Sequence, residues 1–387
     1  LKKLPPYLFI EIDKMKKKAK EEGVDIIDLG IGDPDLPTLK PIIDKMEEEI
    51  RKPENHRYPL GTGLKDFRNA VSIWYERRFN ASFDPDTEVI ALIGSKEGIG
   101  HVPLAFINPG DVVLVPDPGY PVYNGGTIFA DGIPYIMPLL QKNNYLLDLK
   151  KIPASVLKKS KMMFLNYPNN PTSAVATKEF FEEIVSFAKK YNIIVCHDAA
   201  YSEIYYDNEK PISFFENKGA KEVGVEFHSL SKTFNMTGWR IGYAVGNKDI
   251  ISALASIKGN LDSGVFHAIQ RASISALNLP DSFTDDLRNI YQKRRDTLVN
   301  GLKSIGWQVN DTKATFYVWI KVPNNLIDKN AKSPSSEMVK FLLKKTGIVS
   351  TPGIGFGKYG EGYIRMTITT SEERLIEAVD RLKKICR

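Results

Sequence analysis

Cysteine is scarce in this 387-residue chain: Cys196 and Cys386 are the only two, too few for a disulfide framework and suited to a reducing compartment. No segment approaches the roughly 18 apolar residues of a membrane span, and the first residues lack an apolar stretch of secretory-signal length. The chain therefore reads as soluble and cytoplasmic. Its five histidines, His56, His101, His197, His228 and His267, are scattered without zinc-ligand spacing, so no metal set is expected. They read as structural, with His197 placed to support its neighbour Asp198. Neither sign of charge dominates: 53 basic side chains stand against 47 acidic ones, for a net +6. With no arginine-rich tail and no aromatic-basic repeat, nucleic acid is not implied. The densest basic run, Lys14 to Lys20, shares its stretch with Ile10, Met15 and Ala19 at helical spacing, the pattern of a solvated helix face.

What is present is a long alternation of apolar runs and helical patterns. Between about residues 88 and 246 come EVIALIGS, DVVLVPD, IPYIMPL, KMMFLNYP, NIIVCHDAAY, GVEFHSLS and RIGYAVGN. Such runs, separated by helices, predict a mainly parallel sheet covered on both faces. One helix is legible in detail, with Thr177 as N-cap and Phe180, Phe181, Ile184, Val185 and Ala188 as its apolar stripe, ending near Tyr191. Beyond about residue 283 longer charged helices mix with a few strands, among them TFYVWIKV and GYIRMTI. The last helix carries a capping-box pattern, Thr370 with Glu373, ahead of Leu375, Val379 and Leu382. No repeat or low-complexity tract intervenes. The expectation is an α/β protein with a large domain, 46–283, whose sheet is sandwiched by helices. A smaller α/β domain is built from 1–45 and 284–387.

The chemistry concentrates in SLSKTFNMTGWRIGYAVGN, residues 229–247. Here a strand-like run ends in Ser229, and Lys232 and Arg240 follow. A lysine that attacks a carbonyl must lose its proton, so its pKa has to fall from about 10.4 toward neutrality, which burial and a nearby cation achieve. Arg240 supplies the cation and a planar fork for phosphate oxygens, and Ser229 adds a hydroxyl. Upstream, Asp198 lies at the end of the run NIIVCHD, where ligands collect in open parallel sheets. A carboxylate there pairs with a pyridine nitrogen and keeps it protonated. Tyr201 and Asn170, in NYPNNPT, are candidate donors to a phenolic oxygen on the same ring. Gly94 leads into a helix beginning near Ser95 and Lys96, whose backbone N–H groups suit a phosphate. Tyr120, after a proline-glycine turn, offers an aromatic face for stacking. Arg365, in GYIRMT, is the candidate for a substrate carboxylate, and Gly32, in LGIGDPD, allows close backbone approach to that carboxylate. The ligand these groups fit is pyridoxal 5'-phosphate (PLP).

Together these stretches resemble the class I aminotransferases of the fold-type I PLP family over essentially the whole chain. The resemblance implies that Lys232 carries the cofactor as a Schiff base, that Asp198 partners the ring nitrogen, and that Asn170 and Tyr201 partner the phenolic oxygen. Ser95, Lys96, Ser229 and Arg240 would hold the phosphate, Tyr120 the ring, and Arg365 with Gly32 the substrate carboxylate, with Lys96 also facing substrate. Tyr58, in HRYPLGTG, resembles the tyrosine that reaches a neighbouring subunit's phosphate, so a homodimer with shared sites is implied. A narrower resemblance within the family places Tyr7 at the substrate pocket. Small amino-acid and 2-oxo-acid substrates and ping-pong kinetics follow, with a broad-specificity aspartate, alanine or aromatic aminotransferase and a PLP-dependent carbon–sulfur lyase as rival activities. Two departures from the family pattern, PTSA at 171–174 and the absence of glycine in KATFYVW, bear on specificity rather than on cofactor chemistry.

Overall fold

The computed structural model describes residues 8–59, 61–328 and 331–386. Seven strands form the central sheet: β1 (Val89–Leu92), β2 (Val112–Asp117), β3 (Ile133–Pro138), β4 (Ser160–Asn166), β5 (Ile194–Asp198), β6 (Gly224–Ser229) and β7 (Gly242–Gly246). Their spatial order is β1-β7-β6-β5-β4-β2-β3. All neighbours are parallel except β7, which runs antiparallel to both β1 and β6. Both faces are covered, as the near-continuous apolar runs predict. Val113, Val115, Phe164 and Cys196 pack into one apolar layer, and their alternates Leu114, Met163, Leu165 and Val195 into the other. The helix Lys178–Tyr191 starts on its predicted cap, where the Thr177 side chain accepts from the Phe180 N–H, and Phe180, Phe181, Ile184, Val185 and Ala188 are its buried stripe.

This topology sends functional groups to one edge. Asp117, Asn166, Asp198 and Ser229 are each the last residue of their strand, so the carboxyl ends of parallel strands converge there.

The remaining strands form smaller sheets. Tyr317–Lys321, Tyr363–Thr367 and Thr351–Pro352 make an antiparallel trio, and Ile27–Asp28 runs parallel to Ile348–Val349. Arg374 also reaches Asp25 at 2.9 Å. The last helix, Glu372–Ile385, is capped one residue later than the sequence pattern suggests: Ser371, not Thr370, accepts the Arg374 N–H. At the N-terminal end, Lys14, Lys17, Lys18 and Lys20 are exposed on the helix Leu8–Glu21, while Lys16 pairs with Asp28 at 3.0 Å. Among the described residues no helix is long and apolar enough to cross a membrane.

One contact ties the end of β2 to the loop that follows Pro352. The Asp117 carboxylate accepts the Lys358 N–H at 3.0 Å and the Tyr359 N–H at 2.9 Å. Gly357 has φ of 125°, and a Cβ there would meet the Asp117 carboxyl at 2.3 Å. Gly357→Ala is therefore expected to destabilise the protein by about 1–3 kcal/mol, measured by urea unfolding; an unchanged midpoint contradicts it. Burial pushes the Asp117 acid up to about 6, against the two backbone N–H groups. The folded state thus holds this proton more tightly than the unfolded chain, whose aspartates titrate at about 3.9, and the stability it contributes is lost as pH rises through about 6. Asp117→Asn should gain stability relative to the parent across that window; a pH-independent difference between the two would oppose the assignment.

Candidate active site

At the convergent strand ends lies a cavity of about 380 Å³ lined by Gly32, Ser95, Lys96, Tyr120, Asn170, Asp198, Tyr201, Ser229, Lys232, Arg240 and Arg365. Every predicted site residue but two is among these. Tyr58 is 81% exposed, with its hydroxyl against the Ser263 hydroxyl, and does not line the cavity. Tyr7 lies outside the described residues.

Lys232 sits in the short helix Leu230–Thr233 just past β6. Its ammonium donates to the Gly32 carbonyl oxygen at 3.0 Å and lies 5.9 Å from the centre of the Phe316 ring. Burial lowers its pKa to about 8; Asp33 opposes the shift, and Arg240 and Arg365 add to it. At pH 7.4 an amine with that value is about one-fifth neutral, against about one part in a thousand at the ordinary lysine value of about 10.4, and so is far readier to attack a carbonyl.

Asp198 is 5% exposed and accepts from the Tyr123 hydroxyl at 2.8 Å. Burial pushes its carboxyl up, opposed by that hydrogen bond and by the Ala200 N–H. Asn166 ties this residue to the neighbouring loop: its amide donates to the Asp198 carbonyl at 2.8 Å and its oxygen accepts the Asn170 N–H at 2.8 Å. Tyr201 and Tyr317 meet hydroxyl to hydroxyl at 2.8 Å. Burial holds the Tyr201 phenol well above its ordinary value, so it keeps its proton.

The anion end of the cavity is built from a helix N-terminus without a side-chain cap. Gly94 precedes Ser95–Phe106 with no capping hydrogen bond, leaving backbone N–H groups for a ligand. Gly94 has φ of 74°, and a Cβ there would stand 2.5 Å from the Arg240 guanidinium, so glycine lets the cation reach the helix start. The Ser231 hydroxyl is buried with no partner among the described residues. An uncapped helix, two serine hydroxyls and an arginine around one space fit a phosphate.

At the opposite end Arg365 is 3% exposed. Its guanidinium donates to the Asn170 side-chain oxygen at 2.9 Å and to the Gly30 carbonyl at 2.7 Å, and lies over the Tyr317 and Phe356 rings at 4.1 and 4.7 Å. Its Nε is buried without a partner, and no carboxylate of the described residues pairs with it. A buried guanidinium without a counter-ion is costly, and it is suited to receive a carboxylate from outside the chain. Gly32 has a more specific cause than close approach to a ligand: a Cβ would stand 2.3 Å from the Tyr317 hydroxyl.

Sequence reasoning missed Tyr123, Asn166, Ser231 and Tyr317. Tyr123 was signalled by its place one helical turn after Tyr120; Tyr317, by a hydroxyl in an otherwise apolar strand. Of the histidines, His101 stands near Glu97 and Asp262, with ligand atoms within 4.8 Å of one another. The Lys258 ammonium bonds both acids, at 3.2 and 2.6 Å, so a cation of the chain already sits between them.

Residues 24–382 match the model of the family described as aminotransferase class I and II, and the chain belongs to that family. It is 54% identical over 385 residues to LL-diaminopimelate aminotransferase of Aquifex aeolicus, covering 100% of this chain and 98% of the relative. The enzyme of the same name from Moorella thermoacetica is 53% identical over 100% of this chain and 97% of its own. A solved structure, substrate-bound BacF from Bacillus subtilis, superposes with a TM-score of 0.93 at 39% identity, over 99% of this chain and 96% of that one.

Two outcomes follow from the cavity. Arg365→Lys keeps the charge but loses the fork; with charged hydrogen bonds contributing about 1.5–3 kcal/mol each, KM for carboxylate substrates should rise on the order of 10- to 100-fold in steady-state assays, and an unchanged KM would remove Arg365 from substrate binding. In cofactor-free protein, condensation of Lys232 with an aldehyde should increase with pH through about 8; a midpoint near the ordinary lysine value of about 10.4 would count against a buried, lowered amine.

Proposed function

We propose that this aminotransferase binds PLP through Lys232 and interconverts LL-2,6-diaminopimelate plus 2-oxoglutarate with tetrahydrodipicolinate plus glutamate, a step of lysine biosynthesis in the cytoplasm. The observation that carries the reading is Arg365, a buried guanidinium without a carboxylate partner among the described residues, in one cavity with a lysine of lowered pKa and an uncapped helix N-terminus. The substrate pair rests on the full-length likeness to LL-diaminopimelate aminotransferases.

When bound, the cofactor would supply an electron sink for the pair left when a substrate loses its α proton. The chain does the rest. Ser95, Lys96, Ser229, Ser231 and Arg240 would hold the phosphate, Tyr120 would face the ring, and Asn170 and Tyr201 would donate to its phenolic oxygen. Asp198, hydrogen-bonded by the Tyr123 hydroxyl, would keep a proton at the ring nitrogen. Arg365 fixes the α-carboxylate, which presents the α carbon to Lys232. The lysine amine is placed to take the α proton as general base and to hold it for return, and the same residues would serve the 2-oxo acid in reverse, so ping-pong kinetics are expected.

In this reading the chain divides into a large part, 46–283, and a small part formed by 1–45 with 284–387; the pairing of Ile27–Asp28 with Ile348–Val349 supports the grouping. Two copies form a homodimer, and the exposed Tyr58 serves the partner's phosphate.

A coupled assay with LL-diaminopimelate and 2-oxoglutarate, against meso-diaminopimelate, aspartate, alanine and phenylalanine, tests the proposal. Strong preference for the LL isomer and loss of all turnover in Lys232→Ala are expected. Preference for aspartate or phenylalanine would overturn the substrate assignment, and release of ammonia and pyruvate without a 2-oxo acid would replace transamination by lyase chemistry.

A further inference from the structure

Behind Asp198 lies a second set of charged groups that the mechanism above does not use. Parallel pairing of β5 with β6 sets His197 opposite Glu226. Glu226 is 0% exposed. Its carboxyl is surrounded by donors: the Tyr75 hydroxyl at 2.6 Å, the Ser213 hydroxyl at 2.9 Å, the Phe214 N–H at 2.9 Å and His228 Nε2 at 3.0 Å. Burial works to raise its pKa, yet the hydrogen bonds from His197 and His228 outweigh burial and hold the acid well below the usual carboxylate range. Glu226 is thus an ionised acceptor.

His197, 1% exposed, lies between two acceptors. Its Nδ1 is 2.8 Å from Glu226 Oε2, and its Nε2 is 2.9 Å from the Tyr167 carbonyl oxygen. A carbonyl oxygen only accepts, so Nε2 carries a proton; an ionised carboxylate only accepts, so Nδ1 carries one too. The ring is surrounded otherwise by Phe181 and Phe214, with ring centres at 5.1 and 6.5 Å, which offer no competing polar group.

We propose that His197 is a buried imidazolium, paired with Glu226, and that it is a positioning residue whose charge keeps the adjacent Asp198 carboxylate ionised toward the cofactor's ring nitrogen. The second half rests on the PLP reading above; the first does not. Asp198 needs such help because it is buried and its hydrogen-bond partners, the Tyr123 hydroxyl and the Ala200 N–H, are neutral. The two side chains leave opposite faces of β5, yet in a low-dielectric surrounding a cation across that one backbone step favours the ionised form and works against burial. His228, which donates to the same Glu226, faces Trp74, Tyr75 and Tyr243 and contributes in the same direction.

Histidine ring-15N NMR of the whole chain, first without cofactor, reads the charge directly. Both His197 nitrogens should carry protons at neutral pH, as the two acceptors require; one nitrogen without a proton overturns the assignment, and this arm needs no variant. The 13C shift of the Asp198 carboxyl then reads the consequence. In His197→Gln it should titrate higher than in the parent by about one pH unit or more, whereas an unchanged titration in folded protein would refute the coupling. With PLP added, the same variant should lose kcat about tenfold near neutral pH while KM for the amino donor stays unchanged; a change in KM alone would contradict a role at the ring nitrogen. Because the first two readouts use cofactor-free protein, their failure is distinguishable from failure of the PLP reading.

Discussion

Burial of charge without a partner from the chain is the constraint on which this structure turns. Lys232, Asp198 and Arg365 share one cavity, and among the described residues none of them has a salt-bridge partner. Each is held instead by neutral groups: a carbonyl for the lysine, a phenol for the aspartate, and an amide with a carbonyl for the arginine. Leaving such groups unpaired costs stability, and the cost falls when a ligand supplies the missing charges. The cavity is therefore complementary to a molecule with an anionic end, a basic ring nitrogen and a reactive carbonyl, and to a second molecule bearing a carboxylate.

The surrounding fold exists to hold these groups in place. Parallel strands bring Asn166, Asp198 and Ser229 to one edge, and the antiparallel β7 follows the Arg240 turn there, Gly242 pairing with Ser229. From the other side Arg365 is carried on the strand Tyr363–Thr367, whose Thr367 N–H donates to the Leu29 carbonyl at 2.8 Å. The N-terminal segment is thus bound to the strand that bears Arg365, and its Gly30 and Gly32 carbonyls accept from Arg365 and Lys232. Asp117 closes the frame by anchoring the loop whose Phe356 ring lies against Arg365.

Much of this was legible in the sequence because the motif residues fall at the ends of apolar runs, and a parallel sheet puts such ends together. Lys232, Asp198 and Arg240 needed only that rule. What was not legible depends on packing between distant segments. Tyr317 and Gly32 are nearly 300 residues apart in the chain, yet the hydroxyl of one excludes a side chain on the other. That no acid of the described residues stands beside Arg365 is likewise a fact of three dimensions, as is the register that sets His197 against Glu226. Ser371 rather than Thr370 caps the last helix because adjacent hydroxyl residues offer the same signal and only the backbone path selects one.

The central claim is that Lys232 is the amine that binds the cofactor aldehyde. It is tested most directly by loading the protein with PLP, reducing it with borohydride and mapping the peptides by mass spectrometry. One modified residue is expected, Lys232, with the other lysines unlabelled at stoichiometric cofactor. Stable modification of a different lysine, with Lys232 left free, would contradict it.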